Sequence, residues 1–259
     1  MLLVVDVGNT EVTLGLFEGD ALAGQWRVGT RADRTPDEWA ATTAGVLGLD
    51  GREPRAITAA CLTSVAPAVT PDLVRGLLRL AGQPPVVVDA ATPLPIRLDV
   101  DEPLTVGGDR IVNTLAGVTL YGTDLVVVDF GTATTFDCIT ADGRFIGGAI
   151  APGLRTSADQ LTQKAAKLPA TELRPPSGAI GRRTEECITA GVLYGAADAT
   201  DGMVRRIRAE WPGGGRPRAI ATGGLAGLVA PLTTSIEEVV PDLTLQGLRI
   251  AAGHLGLRW

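Results

Sequence analysis

Two stretches decide the fold: LLVVDVGNTEVTLGLFEGDALAGQW at residues 2–26 and LVVVDFGTATTFDCITADGRFIGGAI at residues 125–150. Each begins with four consecutive aliphatic residues, the pattern of a strand buried on both faces. Each then places an acid (Asp6, Asp129), one apolar residue and a glycine (Gly8, Gly131). Small polar residues follow: Asn9 and Thr10 in the first copy, Thr132, Thr134 and Thr135 in the second. A second β-rich run leads to a turn pair, Gly19-Asp20 or Asp142-Gly143, of the kind that closes hairpins. A third short strand ends each copy. Because the acid and the glycine keep their places along with the hydrophobic pattern, the two stretches read as an internal duplication.

The rest is largely helical. Thr35-Pro36-Asp37-Glu38 supplies an N-cap, a proline for the first turn and a glutamate three residues after the cap. Further helices are predicted over Asp72–Leu80, Arg110–Thr119, Thr184–Arg208 and Leu243–Leu255, the last ending near Gly256. Two β-meander-plus-helix units predict two similar α/β domains, 1–115 and 116–259, facing each other across a ligand cleft, with the last helix packing back on the first. Glu172–Arg183 and Trp211–Pro217, rich in Pro, Gly and Arg, read as surface loops.

Composition narrows the function. Of 259 residues, 45% are apolar and 20% charged, which is a globular mixture. The net charge is −6 and no Lys/Arg run exists, so nucleic acid is not an expected partner. The N-terminus has no basic segment before Asp6 and no apolar stretch nears a membrane span, so a cytoplasmic location without membrane contact is expected. Three scattered cysteines (Cys61, Cys138, Cys187) form no CxxC pair and suggest neither a disulfide framework nor a zinc site. The single histidine, His254, reads as an ordinary helix residue and leaves His-based nucleophilic catalysis little to stand on.

A strand ending in Asp and followed by a glycine turn has a chemical use. The glycine lets the backbone aim several N–H groups at one point, and Asn9, Thr10 and Thr13 add side-chain donors. Asp6 offers a hard oxygen to Mg²⁺, directly or through water. Together these residues suit a metal-chelated phosphate chain, and Asp129 with Thr132 suits another part of the nucleotide or a cation. Neither a P-loop GxxxxGK[ST] nor a dinucleotide-binding GxGxxG occurs. A third glycine turn, Thr222-Gly223-Gly224, follows an apolar run; it reads equally as a close backbone approach to a ligand and as a turn leading into a helix. Gly107-Gly108-Asp109-Arg110 precedes a helix. Asp109 is read there either as an N-cap or as a base for an acceptor hydroxyl, with Asp101 and Glu102 as rivals, and Arg110 could pair with a substrate anion.

The motifs in order resemble type III pantothenate kinases: DVGNT at Asp6, VGGDR ending at Arg110, DFGTATT at Asp129, APGL at Ala151, GRRT at Gly181, ATGGL at Ala221 and PDLTLQGL at Pro241. The resemblance runs nearly end to end. It implies two duplicated ribonuclease H-like (actin-like) domains of the acetate and sugar kinase/Hsc70/actin superfamily, each a mixed sheet with helices, flanking a nucleotide cleft, in a homodimer. It implies transfer of the ATP γ-phosphate to pantothenate, the first step of coenzyme A synthesis, with Mg²⁺ and a monovalent cation, K⁺ or NH₄⁺. By position, Asp6, Val7, Gly8, Asn9, Thr10, Glu11, Val12 and Thr13 hold ATP phosphates, as do Thr132, Gly223 and Gly224 other parts of ATP. Asp109 is then the proton acceptor. Val100, Gly107, Gly108, Asp109, Arg110 and Thr184 shape the pantothenate site, Thr184 across the dimer interface. Asp129 binds the monovalent cation and Asp6 the Mg²⁺. Three positions depart from the family pattern: Val100 stands where a tyrosine is common, Glu11 where Asn or a similar residue is common, and Arg183 where Asn is common. Two other functions compete, a non-catalytic nucleotide-binding regulator and a phosphoanhydride hydrolase of the same fold.

Overall fold

A computed structural model describes residues 1–259. The chain divides into two compact units, residues 1–119 with 243–259, and residues 120–242. The first contains β1 (Leu2–Val7), β2 (Glu11–Glu18), β3 (Ala21–Gly29), α1 (Pro36–Leu49), β4 (Ala59–Ser64), α2 (Thr70–Ala81), β5 (Val86–Val88), the two-residue β6 (Arg97–Leu98) and α3 (Gly108–Tyr121). The second contains β7 (Leu125–Phe130), β8 (Ala133–Ile139), β9 (Arg144–Pro152), α4 (Leu154–Lys164), α5 (Thr184–Glu210), β10 (Arg218–Thr222), the short α6 (Ala226–Val229) and β11 (Glu238–Val239). The chain then returns to the first unit as α7 (Leu243–His254).

Strand order repeats. The first unit runs β3-β2-β1-β4-β5, and the second unit's own strands run β9-β8-β7-β10-β11 within a six-stranded sheet. In each, the first three strands are antiparallel neighbours, and the central strand pairs in parallel with a strand that arrives later in the chain. Both predicted turn pairs close their hairpins, with Gly19 at φ 59° and Gly143 at φ 86°, conformations that favour glycine.

Alternation along the strands sorts the side chains. In the first unit Leu3, Val5 and Val7 of β1 join Val12, Leu14 and Leu16 of β2 in a core that includes Trp39 and Leu47 of α1 and Leu73 and Leu77 of α2. Burying each such side chain is worth about 1.5–3 kcal/mol. Helix α1 opens as the sequence predicts: the Thr35 hydroxyl accepts the Glu38 N–H while Glu38 accepts the Thr35 N–H. The opposite face of the sheet is covered from α7. Gly247 brings α7 so close to α3 that a Cβ there would stand 2.1 Å from the Val112 carbonyl oxygen. In the second unit Val126, Val128 and Phe130 of β7 pack with Leu154 of α4 and with Leu193, Ala197 and Val204 of α5. Asp201 fastens α5 to the loop before β11 by accepting the N–H groups of Thr234 and Ser235. Helix α4 is absent from the sequence reading, because its apolar positions are sparse and only Leu154 and Ala158 are buried.

Candidate active site

The predicted stretch Asp6–Thr13 divides by face. Val7 and Val12 are register partners buried in the helix-side core, so they shape the turn from behind. Asp6 pairs with Thr13 on β2 and with Thr63 on β4, so these three side chains stand in one row on the opposite face. Gly8, Asn9 and Thr10 form the connecting loop, with Asn9, Thr10 and the adjacent Glu11 exposed. The Gly8 N–H donates to the Glu11 carbonyl at 3.0 Å, so it is turned into the hairpin. Gly8 is also not in the left-handed region. Its need for glycine is one of space, since a Cβ there would lie 2.9 Å from the Glu11 carbonyl oxygen. Thr30, which the motif gives no reason to select, braces the loop: its N–H donates to the Thr10 carbonyl at 2.9 Å and its hydroxyl to the Gly8 carbonyl at 2.7 Å.

Asp109 is tied to the same row. The buried Thr63 hydroxyl donates to the Val88 carbonyl at 3.1 Å. A Cβ on Gly108 would lie 1.8 Å from that hydroxyl oxygen and 2.8 Å from the Val88 carbonyl oxygen. Only glycine therefore lets α3 start against β4 and β5, one strand from Asp6. The helix begins at Gly108, so Asp109 lies inside its first turn and is not the N-cap; its carboxylate accepts the Arg110 N–H at 2.9 Å. Asp109 and Arg110 are half-buried, whereas the rivals Asp101 and Glu102 are exposed in the preceding loop. Burial pushes the Asp109 carboxyl above the ordinary aspartate value, and the Arg110 N–H and guanidinium pull it only part of the way back. Gly107 is constrained too, as a Cβ there would stand 2.5 Å from an Asp109 carboxylate oxygen. Val100 is half-buried in the loop after β6.

The second acidic corner is built from backbone. Asp129 ends β7 one residue short of Phe130, paired with Thr135 on β8 and Thr222 on β10. Its loop has two residues, Gly131 and the exposed Thr132. The Thr132 carbonyl accepts the Gly153 N–H at 3.1 Å and the Thr156 hydroxyl at 2.7 Å. A Cβ on Gly153 would lie 2.3 and 2.4 Å from the carbonyl oxygens of Thr132 and Gly131, so the APGL segment presses its backbone onto the loop. From the other side Gly223, at φ 91°, approaches until a Cβ would stand 2.3 Å from Asp129 Oδ1. The Leu225 N–H then donates to the Phe130 carbonyl at 3.2 Å. Gly223 thus serves Asp129, while Gly224 is exposed.

Thr184 is the exposed first residue of α5. Glu186 accepts the Arg182 and Arg183 N–H groups at 2.8 and 3.3 Å, and a Cβ on Gly181 would lie 2.5 Å from the Cys187 nitrogen, which explains the glycine of GRRT. A cavity of about 360 Å³ opens beside this turn, lined by Thr171, Arg174, Pro175, Glu185, Glu186 and Thr189. Asp6, Asp109 and Asp129 do not line it.

No cluster of three or more His, Cys, Asp or Glu side chains is positioned to hold a metal ion. Single carboxylates fit an ion that keeps waters and completes its shell with substrate phosphates, as Mg²⁺ does, and do not fit an all-protein cage.

Paired glycine-turn corners at the ends of central strands, on a duplicated mixed sheet, define a duplicated ribonuclease H-like (actin-like) fold. Solved structures agree on the fold. A Campylobacter jejuni protein assigned to the Baf family of transcriptional activators superposes with a TM-score of 0.59 at 16% identity, over 98% of both chains. The activator of 2-hydroxyisocaproyl-CoA dehydratase from Clostridium difficile, solved with bound ADPNP, gives 0.55 at 13% identity, over 98% of this chain and 93% of that one. Sequence narrows the class: the profile of type III pantothenate kinases matches residues 2–206. The type III pantothenate kinase of Geotalea daltonii is 44% identical over 250 residues, covering 96% of this chain and 97% of that one. The chain belongs to the type III pantothenate kinase family.

Proposed function

We propose that this protein phosphorylates pantothenate with ATP, giving 4′-phosphopantothenate and ADP at the first step of coenzyme A synthesis. The observation that carries this reading is Asp109, a half-buried carboxylate with a raised pKa, seated by Gly108 and Thr63 on the row that contains Asp6. Phosphoryl transfer asks a protein mainly to position groups and neutralise charge. The hydroxyl oxygen of pantothenate forms the new bond to the γ-phosphorus, the bond from that phosphorus to the β–γ bridging oxygen breaks, and Asp109 takes the hydroxyl proton. A carboxylate with a raised pKa is better matched to that late proton transfer than an ordinary one.

The turn from Asp6 to Thr13 receives the phosphates, with Asn9, Thr10 and Thr13 as side-chain donors. Mg²⁺, held near Asp6 through water, supplies charge neutralisation of the phosphate oxygens. Asp129 binds K⁺ or NH₄⁺, and Thr132, Gly223 and Gly224 contact other parts of ATP. Gly107, Gly108, Arg110 and Val100 shape the pantothenate site. Thr184, exposed at the start of α5, completes that site from a second copy in a homodimer. A cytoplasmic location is part of this reading, and no helix is long and apolar enough to cross a membrane.

The test is ADP release by the purified protein with and without pantothenate, in K⁺ and then in Na⁺. Release that requires pantothenate and is faster in K⁺ is expected. Release independent of pantothenate would point to a phosphoanhydride hydrolase, and nucleotide binding without release to a regulator.

A further inference from the structure

The row that carries Asp6 has one more member. Thr13 of β2 is the register partner of Arg27 on the edge strand β3. Trp26 and Val28 on either side of it pack into the helix-side core with Leu14 and Val12, so alternation sends Arg27 to the other face. Across four strands the face therefore reads Thr63, Asp6, Thr13, Arg27. Arg27 stands two strand spacings from Asp6, about 10 Å between Cα atoms. An extended arginine and a triphosphate chain can close that distance together.

The charge of the corner asks for a cation. Asp6, Glu11 and Asp109 are all acidic, Arg110 beside Asp109 is assigned above to the pantothenate site, and both lysines of the chain, Lys164 and Lys167, lie in the other unit. Several arginines of the first unit are already engaged: Arg34 lies 4.7 Å from the Trp39 ring centroid, Arg52 donates to the Ala23 carbonyl and Arg249 pairs with Asp20. Arg27 is exposed, and its side chain makes no hydrogen bond or ion pair. It is also carried on a braced element, since Thr30, three residues on, holds the Gly8–Thr10 loop through two hydrogen bonds.

We propose that Arg27 is a phosphate-binding residue of the nucleotide site, donating its guanidinium fork to ATP phosphate oxygens alongside Asn9, Thr10 and Thr13. The role rests on the kinase reading above. It gives the Asp6 corner the fixed positive charge that its own side chains lack, in the residue type whose planar fork matches phosphate.

The experiment compares Arg27→Gln, Arg27→Lys and, as a charge control in the nearby loop, Arg31→Gln. The readouts are KM for ATP, KM for pantothenate, and calorimetric affinity for a non-hydrolysable ATP analogue. Arg27→Gln is expected to raise KM for ATP and weaken analogue binding by about ten- to hundredfold, the size of a charge-assisted contact, with KM for pantothenate nearly unchanged. Arg27→Lys recovers part of the loss, keeping charge without the fork. Because Arg27 has no partner, the melting temperature stays within about a degree or two of wild type. ATP kinetics and analogue affinity of Arg27→Gln within about twofold of wild type would overturn the assignment, as would an equal loss in Arg31→Gln. A wild-type protein that binds the analogue through Arg27 but shows no pantothenate-dependent release would leave this assignment standing and remove the kinase reading instead.

Discussion

The corner at Asp6 and the corner at Asp129 hold the same acid at the end of the same strand in the same sheet order, yet they are braced in opposite ways. At Asp6 the loop has three residues, is held from one side by Thr30, and leaves Asn9 and Thr10 exposed. At Asp129 the loop has two, and backbone from Gly153 and Gly223 closes on it from two directions. The first corner offers donors and open space, which suit an anionic phosphate chain. The second has backbone pressed onto its loop by Gly153 and against the Asp129 carboxylate by Gly223, a rigid setting that suits the easily dehydrated monovalent cation proposed there. Duplication accounts for the scaffold, and the difference in bracing matches the two separate tasks proposed for the corners.

That division of labour predicts two kinds of damage. Asp109→Asn, on the Asp6 side, is expected to lower turnover by about two to four orders of magnitude in every cation, because the proposed base is gone. Asp129→Ala is expected to abolish the advantage of K⁺ over Na⁺ while leaving the slower basal turnover measurable. A K⁺ response that persists in Asp129→Ala would erase the distinction drawn above.

The raised pKa of Asp109 adds a check with a definite sign. Over the interval from its unfolded to its folded pKa, the native state binds more protons than the unfolded one, so the unfolding free energy falls as pH rises. The stability this group contributes is complete below the unfolded value and is lost as pH passes the folded value. At neutral pH the charged carboxylate therefore works against the fold, and Asp109→Asn is expected to melt no lower than wild type there. Wild-type turnover, which needs the deprotonated form, is expected to fall on acidification at a pH above that of an ordinary aspartate. A melting temperature well below wild type would make Asp109 a structural residue instead.

The sequence exposes the two corners because each follows four consecutive aliphatic residues, a signal strong enough to set the strand and the position of its acid. It exposes the start of α3 through Gly107-Gly108 but not the reason for those glycines. That reason is Thr63, on a strand whose parallel pairing to β1 joins residues far apart in the chain and leaves no local pattern. The bracing roles of Thr30 and of Gly153, which the APGL motif contains, are hidden for the same cause: each acts on a loop that the chain left many residues earlier. Gly8 shows a subtler limit. A glycine in a turn suggests freedom of φ, whereas at this position what the fold requires is clearance above the Glu11 carbonyl.

Glycine substitution is the smallest change that still separates the two corners. Gly223→Ala asks an alanine to adopt φ 91° and to place a methyl group 2.3 Å from Asp129 Oδ1 and 2.7 Å from the Phe130 nitrogen. Backbone strain and overlap together are expected to cost about 2–4 kcal/mol. The neighbouring atoms that must yield are the proposed cation ligand and the backbone behind it, so the K⁺ response should weaken along with stability. Gly8→Ala keeps an allowed φ and meets one atom, the Glu11 carbonyl oxygen at 2.9 Å, which a slight opening of the hairpin relieves. About 1 kcal/mol is expected there, with a modest rise in KM for ATP and the K⁺ response intact. Thermal melting and cation-dependent kinetics on the two variants measure both differences. Equal destabilisation by the two alanines would mean that the Asp129 corner is no more tightly enclosed than the Asp6 corner, and the contrast in bracing would then explain nothing about their roles.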